Sequence, residues 1–333
     1  MRVFAFEFFS GGGLAGHPLP ATVAREGDLM LSALVRDLAR LPGTTVVASR
    51  DPRLPPLPRC ETVRPLPGED PFQLYARGLE GSDAGWPTAP EGAGVLERLT
   101  RDTEVAGKVL LGCRPEAVHL AASKHATARV LREHGVPAVP TFAWGETPPP
   151  LAGRWVVKPD DGAGCEDTEV FDDRAAALER LAETPGRLVA QPWIEGEPLS
   201  LSLLCAGGTA RLLSCNRQRI AVRGGRVGLE AVVVNAVADG DGRFASLGER
   251  IAAAVPGLWG YVGVDLVLAP EGPVVLEINP RLTTSYCGLR TALGLNPAGL
   301  VLGLLRSSDS PIEWPKGASG APAEISFESS FAL

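Results

Sequence analysis

Two apolar runs, Gly263–Leu268 and Val274–Ile278, are rich in β-branched residues and flank the turn sequence Ala269-Pro270-Glu271-Gly272. That pattern predicts a β-hairpin. With the turn centred near Glu271, Asp265 falls opposite Glu277, and Asn279 shares the face of Glu277. At the other end of the chain, residues 2–9 read as a buried strand followed by the loop Ser10-Gly11-Gly12-Gly13. Gly27–Leu41 carries apolar residues at 30, 31, 34, 35, 38 and 41, a helical stripe with Asp28 near its start. Residues 44–48 form the next strand, and strand-loop-helix-strand opens a parallel α/β unit.

The middle of the chain alternates between the two periods. After a Pro-rich connection at 52–71, a helix fits 91–106 and a short strand 109–111. Residues 114–134 read as one helix, ended by Gly135-Val136-Pro137. Strands are expected at 139–144, 154–159, 169–171 and 188–191, with a helix at 174–183. The remainder is strand-rich, with helices near 245–255 and 296–305. The pattern divides the chain into 1–112, 113–187 and 188–333: a small parallel α/β domain, then two α+β units.

Composition removes several function classes. A net charge of −7 and a pI near 5.3 give no basic face for nucleic acid. No run approaches the roughly 20 apolar residues of a membrane span. Met1–Phe9 lacks the form of a signal peptide. The six cysteines show no CxxC pair and the four histidines no HxxxH, so both read as structural, and a cytoplasmic location is expected. Only four of the 32 basic residues are Lys (108, 124, 158 and 316), which draws attention to each.

Two carboxylates facing each other across strands repel unless a cation lies between them. Asp265, Glu277 and Asn279 offer oxygen ligands only, a set that suits Mg²⁺ completed by water and substrate phosphates. Lys158 ends an apolar strand and precedes Asp160-Asp161-Gly162-Ala163-Gly164-Cys165. Glycines there let backbone N–H groups turn toward phosphate, although the spacing is not that of a Walker A loop, and a plain hairpin turn fits the segment equally well. Thr284 and Ser285 precede a further helix whose N-terminus suits either an anion or a simple cap.

The ordered set Lys124, Lys158 with its glycine loop, Gln191-Pro192-Trp193-Ile194, Asp265, Glu277, Asn279 and Arg281 resembles the ATP-grasp superfamily over roughly residues 112–305. The resemblance implies ATP held between two α+β subdomains. Lys124 and Lys158 would contact phosphates, Gly162–Cys165 would form the mobile flap, and Gln191 to Ile194 would lie along adenine. Glu197 would reach the ribose, Asp265, Glu277 and Asn279 would hold Mg²⁺ (or Mn²⁺), and Arg281 would neutralise the transferred phosphoryl group. The family commonly has an acid at Gln191 and a serine at Cys165. The segments Phe6–Gly13, Arg25–Met30, Ala89-Pro90-Glu91, Ser214–Gln218 and Asn279–Tyr286 are similar to the tyramine–L-glutamate ligase family of methanofuran and methylofuran biosynthesis. That similarity implies an ATP-dependent carboxylate–amine ligase working through an acyl phosphate, with glutamate as acid and tyramine, tyrosine or a related amine as nucleophile. Its partners would be small molecules, with neither nucleic acid nor membrane, and a homodimer is compatible with it. Glu7 and Arg290 are the candidates for the amine and the acceptor carboxylate, with Gly11, Gly12, Thr284 and Ser285 beside them. A ligase or kinase for other small substrates would use the same nucleotide residues, as would a silent ATP sensor.

Overall fold

The computed structural model describes residues 1–162, 164–165, 167–306 and 320–327. Its first sheet is wholly parallel: β1 (Arg2–Glu7), β2 (Thr45–Ser49), β3 (Glu61–Val63), β4 (Ala84–Thr88) and β5 (Val109–Leu110) lie in the order β3-β2-β1-β4-β5. β1 is central and covered on both faces, which is why Val3-Phe4-Ala5-Phe6 is continuously apolar. Val3 and Ala5 pack under α1 (Ala21–Leu38). Phe4 and Phe6 pack on the other side, against α2 (Pro71–Leu79) and α3 (Val95–Val105).

α1 starts at Ala21, about one and two-thirds turns before the expected Gly27, and Asp28 lies inside it. The extra turns bury Ala24, a small residue that an apolar stripe does not register, and Gly27 follows it on the buried side. Gly27 is small for a reason: a Cβ there would sit 2.1 Å from Glu7 Oε2.

The second sheet is built from the rest of the chain. Its elements are α4 (Pro115–Ala122), α5 (Lys124–Glu133), β6 (Phe142–Ala143), β7 (Trp155–Pro159), β8 (Glu169–Phe171), α6 (Arg174–Glu183), β9 (Leu188–Pro192), β10 (Glu197–Ala206), β11 (Thr209–Arg223) and β12 (Arg226–Val237). They continue through α7 (Arg243–Ala254), β13 (Gly260–Ala269), β14 (Gly272–Asn279), α8 (Tyr286–Leu293), α9 (Pro297–Leu304) and β15 (Ala323–Ser326). The strands run β14-β13-β10-β11-β12-β8-β7-β9-β6, with β15 on β12. β6 to β9 and α6 enclose their own small core of Trp155, Val157, Ala177, Leu181, Leu188 and Ala190. Among the described residues β8 meets β12 at the register pair Arg226 with Glu169, flanked by Val170 N donating to Gly225 O and Val227 N to Thr168 O. β9 pairs with both β6 and β7, so the strands of this unit run past 187 to Pro192. Among the described residues no helix is long and apolar enough to cross a membrane.

The expected single helix over 114–134 is two helices. Ser123 between them is extended (φ −92°, ψ 114°), and its hydroxyl accepts from Ala126 N at 3.0 Å, capping α5. The break exposes the first N–H groups of α5 to a partner. Lys124 N donates to Asp160 O at 3.1 Å and His125 N to Asp160 Oδ1 at 2.8 Å. A carboxylate at a helix N-terminus is favourable, so α5 starts where Asp160 needs it to start. Ser123→Ala is expected to cost about 1 kcal/mol of stability, read as a lower urea midpoint with an unchanged slope; an unmoved midpoint would mean that Asp160 alone holds the helix start.

Candidate active site

β10 alternates Leu199-Ser200-Leu201-Ser202-Leu203, so its leucines face one side and its serines the other. The leucine side joins Val262, Val264, Leu266 and Ile278 in the core beneath α4, α5 and α7. The serine side forms the floor of a polar site. Across it, Asn216, Ser200, Asp265 and Glu277 stand in register on four adjacent strands. Two residues away, Ser214, Ser202, Gly263 and Asn279 make a parallel row.

The hairpin reaches this register by an unexpected route. The turn closes with Ala269 opposite Gly272, and the ladder continues to Leu266 opposite Val275. A shift then sets Asp265 opposite Glu277, leaving Leu276 as the extra residue of a β-bulge. Residues 137–139 strap this same stretch of β14: Val139 N donates to Val275 O and Val275 N to Pro137 O, each at 2.9 Å.

Lys158 Nζ lies 3.3 Å and Lys124 Nζ 3.7 Å from Glu277 Oε2, with all three side chains largely buried. Lys124 Nζ also donates to Gly162 O at 2.5 Å and Asp160 O at 3.3 Å. Asp265 accepts from Gln218 Nε2 at 2.9 Å and from Asn279 Nδ2 at 3.0 Å. Burial and the adjacent Glu277 push the Asp265 carboxyl well above its ordinary range. Burial also acts on Glu277, but Lys124 and Lys158 outweigh it and hold that carboxyl well below its range. Lys124 itself is lowered by burial, against the pull of Glu277. Arg281, next along the chain, meets Glu91 through Nε at 2.9 Å and through a terminal nitrogen at 3.1 Å.

The glycine loop meets this group at its first glycine. Gly162 supplies a carbonyl to Lys124, and Gly164 and Cys165 both take left-handed backbone (φ 67° and 63°). Ala163 lies outside the described residues. Burial pushes the Cys165 thiol up to about 12, and Glu277 and Asp265 add to the effect. Gln191 is buried with its amide donating to Thr141 Oγ1 at 2.9 Å. Pro192, Trp193 and Ile194 lead from β9 toward β10, with Arg154 stacked 4.5 Å from the Trp193 ring centre. Glu197 is held by Arg217.

The N-terminal candidates divide. Glu7 Oε2 accepts from Ser10 N and Ser10 Oγ, both at 2.7 Å, and burial raises its carboxyl. Gly11 N donates to Glu7 O at 2.7 Å, and Gly12 takes φ +101° against Pro65, so both shape the turn after β1. Ser285 is buried at the start of α8, one residue after Thr284, whose carbonyl accepts from Cys287 N at 3.1 Å. Arg290 belongs elsewhere. It lies 3.5 Å from buried Asp37 near the far end of α1, about 15 Å along the helix from Gly27 at 1.5 Å per residue. The aspartate that claims it is a structural partner, so Arg290 is withdrawn as a substrate residue.

Sequence reasoning gave no role to Glu91, Gln218, Asn216 or Glu26. Asn216 donates to Ser200 and Ser202 at 3.2 Å, Ser202 meets Tyr261 OH at 3.1 Å, and Tyr261 meets Thr283 at 2.8 Å. The alternation of Leu and Ser in β10 and of Asn216 and Gln218 in β11 was the signal for this network. Among the described residues no three His, Cys, Asp or Glu side chains form a metal cluster by themselves. Two carboxylates and an amide oxygen fit a cation whose shell is completed by phosphate and water, as Mg²⁺ prefers.

A model of the ATP-grasp domain matches residues 121–285, and one of the pre ATP-grasp 3 domain matches 44–118. The tyramine–L-glutamate ligases of Methanocaldococcus jannaschii and Methanocaldococcus fervens are each 33% identical, over 212 and 205 residues, or 64% and 61% of this chain. The matched part spans only 60% of the length of each relative. An ATP-grasp superfamily protein of Archaeoglobus fulgidus superposes with a TM-score of 0.71 at 27% identity, covering 91% of this chain and 88% of that one. The L-amino acid ligase of Bacillus licheniformis shares the fold at a TM-score of 0.64 and 18% identity, covering 90% of this chain and 73% of its own.

One position tests how tightly the floor is built. A Cβ at Gly263 would lie 2.6 Å from Thr283 Cγ2 and 3.4 Å from Asn279 Cβ. Gly263→Ala is therefore expected to cost about 1–3 kcal/mol in a denaturant titration, whereas a wild-type midpoint would mean that the loop after β14 yields freely.

Proposed function

The chain belongs to the ATP-grasp superfamily, and from that premise we propose that it is an ATP-dependent carboxylate–amine ligase. The observation that carries the reading is the convergence of Lys124 and Lys158 on Glu277, directly across the strand pair from Asp265. Two ammonium groups sharing one carboxylate are placed to take phosphate oxygens once that carboxylate turns to a metal ion. Mg²⁺ on Asp265, Glu277 and Asn279 would supply charge neutralisation at the phosphates, and Mn²⁺ shares the oxygen preference.

In this reading Lys124, Lys158 and the backbone N–H groups of the Gly162–Cys165 loop hold the phosphates. Pro192, Trp193 and Ile194 flank adenine beside Gln191, and Glu197 takes the ribose by exchanging Arg217 for a hydroxyl. A carboxylate oxygen of the acid attacks the γ-phosphorus, the bond to the β-phosphate oxygen breaks, and ADP leaves an acyl phosphate. The amine nitrogen then attacks the acyl carbon, the C–O bond breaks, and inorganic phosphate departs as nitrogen loses a proton. Positioning and charge neutralisation are the protein's work, with Arg281 at the transferred phosphoryl group.

The names of the two Methanocaldococcus relatives support L-glutamate as the acid and tyramine as the amine. We infer a γ-glutamyl amide of tyramine or a related amine such as tyrosine, made in the cytoplasm from soluble substrates for a methanofuran-type cofactor.

ADP release by purified protein with Mg-ATP, glutamate and an amine panel tests the reading. ADP that requires both partners, with the matching amide mass, supports it; ADP from one partner alone points to a kinase, and nucleotide binding without ADP to a sensor. Glu277→Gln and Lys158→Met should keep the wild-type circular dichroism spectrum yet lower turnover by more than about two orders of magnitude. Near-wild-type rates in either would remove that residue from the site.

A further inference from the structure

Arg281 and Glu91 come from opposite domains, 190 residues apart, and their side chains are 11% and 6% exposed. A guanidinium buried this deeply requires a carboxylate or phosphate beside it. Glu91 meets it side-on, through Nε and one terminal nitrogen, while the other terminal nitrogen donates to Leu282 O at 3.1 Å. Of the five N–H donors of a guanidinium, that on Nε lies in ion-pair distance of Glu91 without a hydrogen bond, and one on each terminal nitrogen has no partner among the described residues. Those two donors would serve as the fork that takes a phosphoryl group bidentately.

Glu91 also begins a constrained turn. Pro90 precedes it, and Ala93 and Gly94 follow with left-handed backbone (φ 53° and 68°). For an alanine that conformation is strained. It directs Ala93 N to Asp161 Oδ2, at 3.1 Å, at the root of the phosphate loop. Two residues apart, the turn thus touches both the arginine and the loop.

Resting on the ligase reading, we propose that Glu91 is the positioning residue for Arg281, and that the 91–94 turn fixes the arginine fork and the phosphate loop relative to each other. The parallel domain then acts in phosphoryl transfer as well as in holding substrate. The contact bears on the transition state more than on ATP binding, because the Arg281 fork faces charge that develops during transfer.

A cycle of Glu91→Gln, Arg281→Met and the double variant tests the assignment. Glu91→Gln should lower kcat by about 10- to 100-fold, the scale of a misplaced catalytic group, with KM for ATP nearly unchanged. In the Arg281→Met background the same change should alter kcat by less than about twofold. Glu91→Asp, which keeps the charge, should recover part of the loss. Equal effects in both backgrounds, or a rise in KM for ATP with kcat intact, would overturn the assignment.

A second readout needs no turnover: amide exchange in a peptide covering Lys158–Gly162. Glu91→Gln should speed it, and wild-type exchange would break the proposed link between turn and loop. If the wild-type protein ligates no acid–amine pair, the ligase reading fails by itself and the exchange result still decides the link.

Discussion

Two carboxylates directly opposite each other in a buried antiparallel pair are the constraint around which this molecule is arranged. Asp265 and Glu277 repel, and a sheet does not keep such a pair without compensation. The compensation comes from several parts of the chain. Lys124 stands at the start of a helix whose position is set by a serine cap and by Asp160. Lys158 stands near the end of a strand of the small unit that meets β12 at Arg226 and Glu169. Asn279 and Gln218 complete the hydrogen bonds of Asp265. The helix break, the strand end and the polar rows are thus local answers to one electrostatic demand.

The main sheet divides one face by polarity. Near the hairpin it presents serines, amides and acids; farther along, Leu204, Leu213, Val232, Val234 and Tyr261 join α1, α8 and α9 in an apolar core. The parallel domain docks on that apolar part. Its strand ends, carrying Glu7, then lie toward the polar part, consistent with ligand binding at the carboxyl ends of parallel strands. Burial raises the carboxyls of Glu7 and Glu26, with Arg281 acting against it in both. The two domains therefore share electrostatics as well as a boundary.

Much of this was legible because it is written in local periods. The hairpin, the pairing of its acids and the Lys158 loop follow from alternation and turn chemistry, although the pairing arises from a bulge and not from the turn centre inferred for it. What escaped was set by distant partners. Ser123 breaks a good helical pattern because Asp160, far along the chain, takes the exposed N–H groups. Gly27 lies inside α1 because Glu7 needs the space. Glu91 and Arg281 share no local pattern at all, and Arg290, named as a candidate for the acceptor carboxylate, pairs with Asp37. Periodicity assigns a residue to a face; it does not say which charge waits there.

The bulge at Leu276 has a consequence for descent. A two-residue turn followed by an unbroken ladder would set Asp265 opposite Leu276 and carry Glu277 to the leucine side of the sheet. The extra residue reverses the parity once, between the tip and the acids. Sequence drift at the exposed tip, Pro270-Glu271, is thereby separated from the chemistry. Loss of one residue from the returning strand while the bulge is kept is not so forgiving, since it would set Ile278 opposite Asp265; loss of the bulge residue itself leaves Glu277 there on an unbroken ladder. In diverging relatives of this chain, substitutions should accumulate at the tip, and a change of one in the count of residues from Pro273 to Glu277 should come with loss or gain of the bulge.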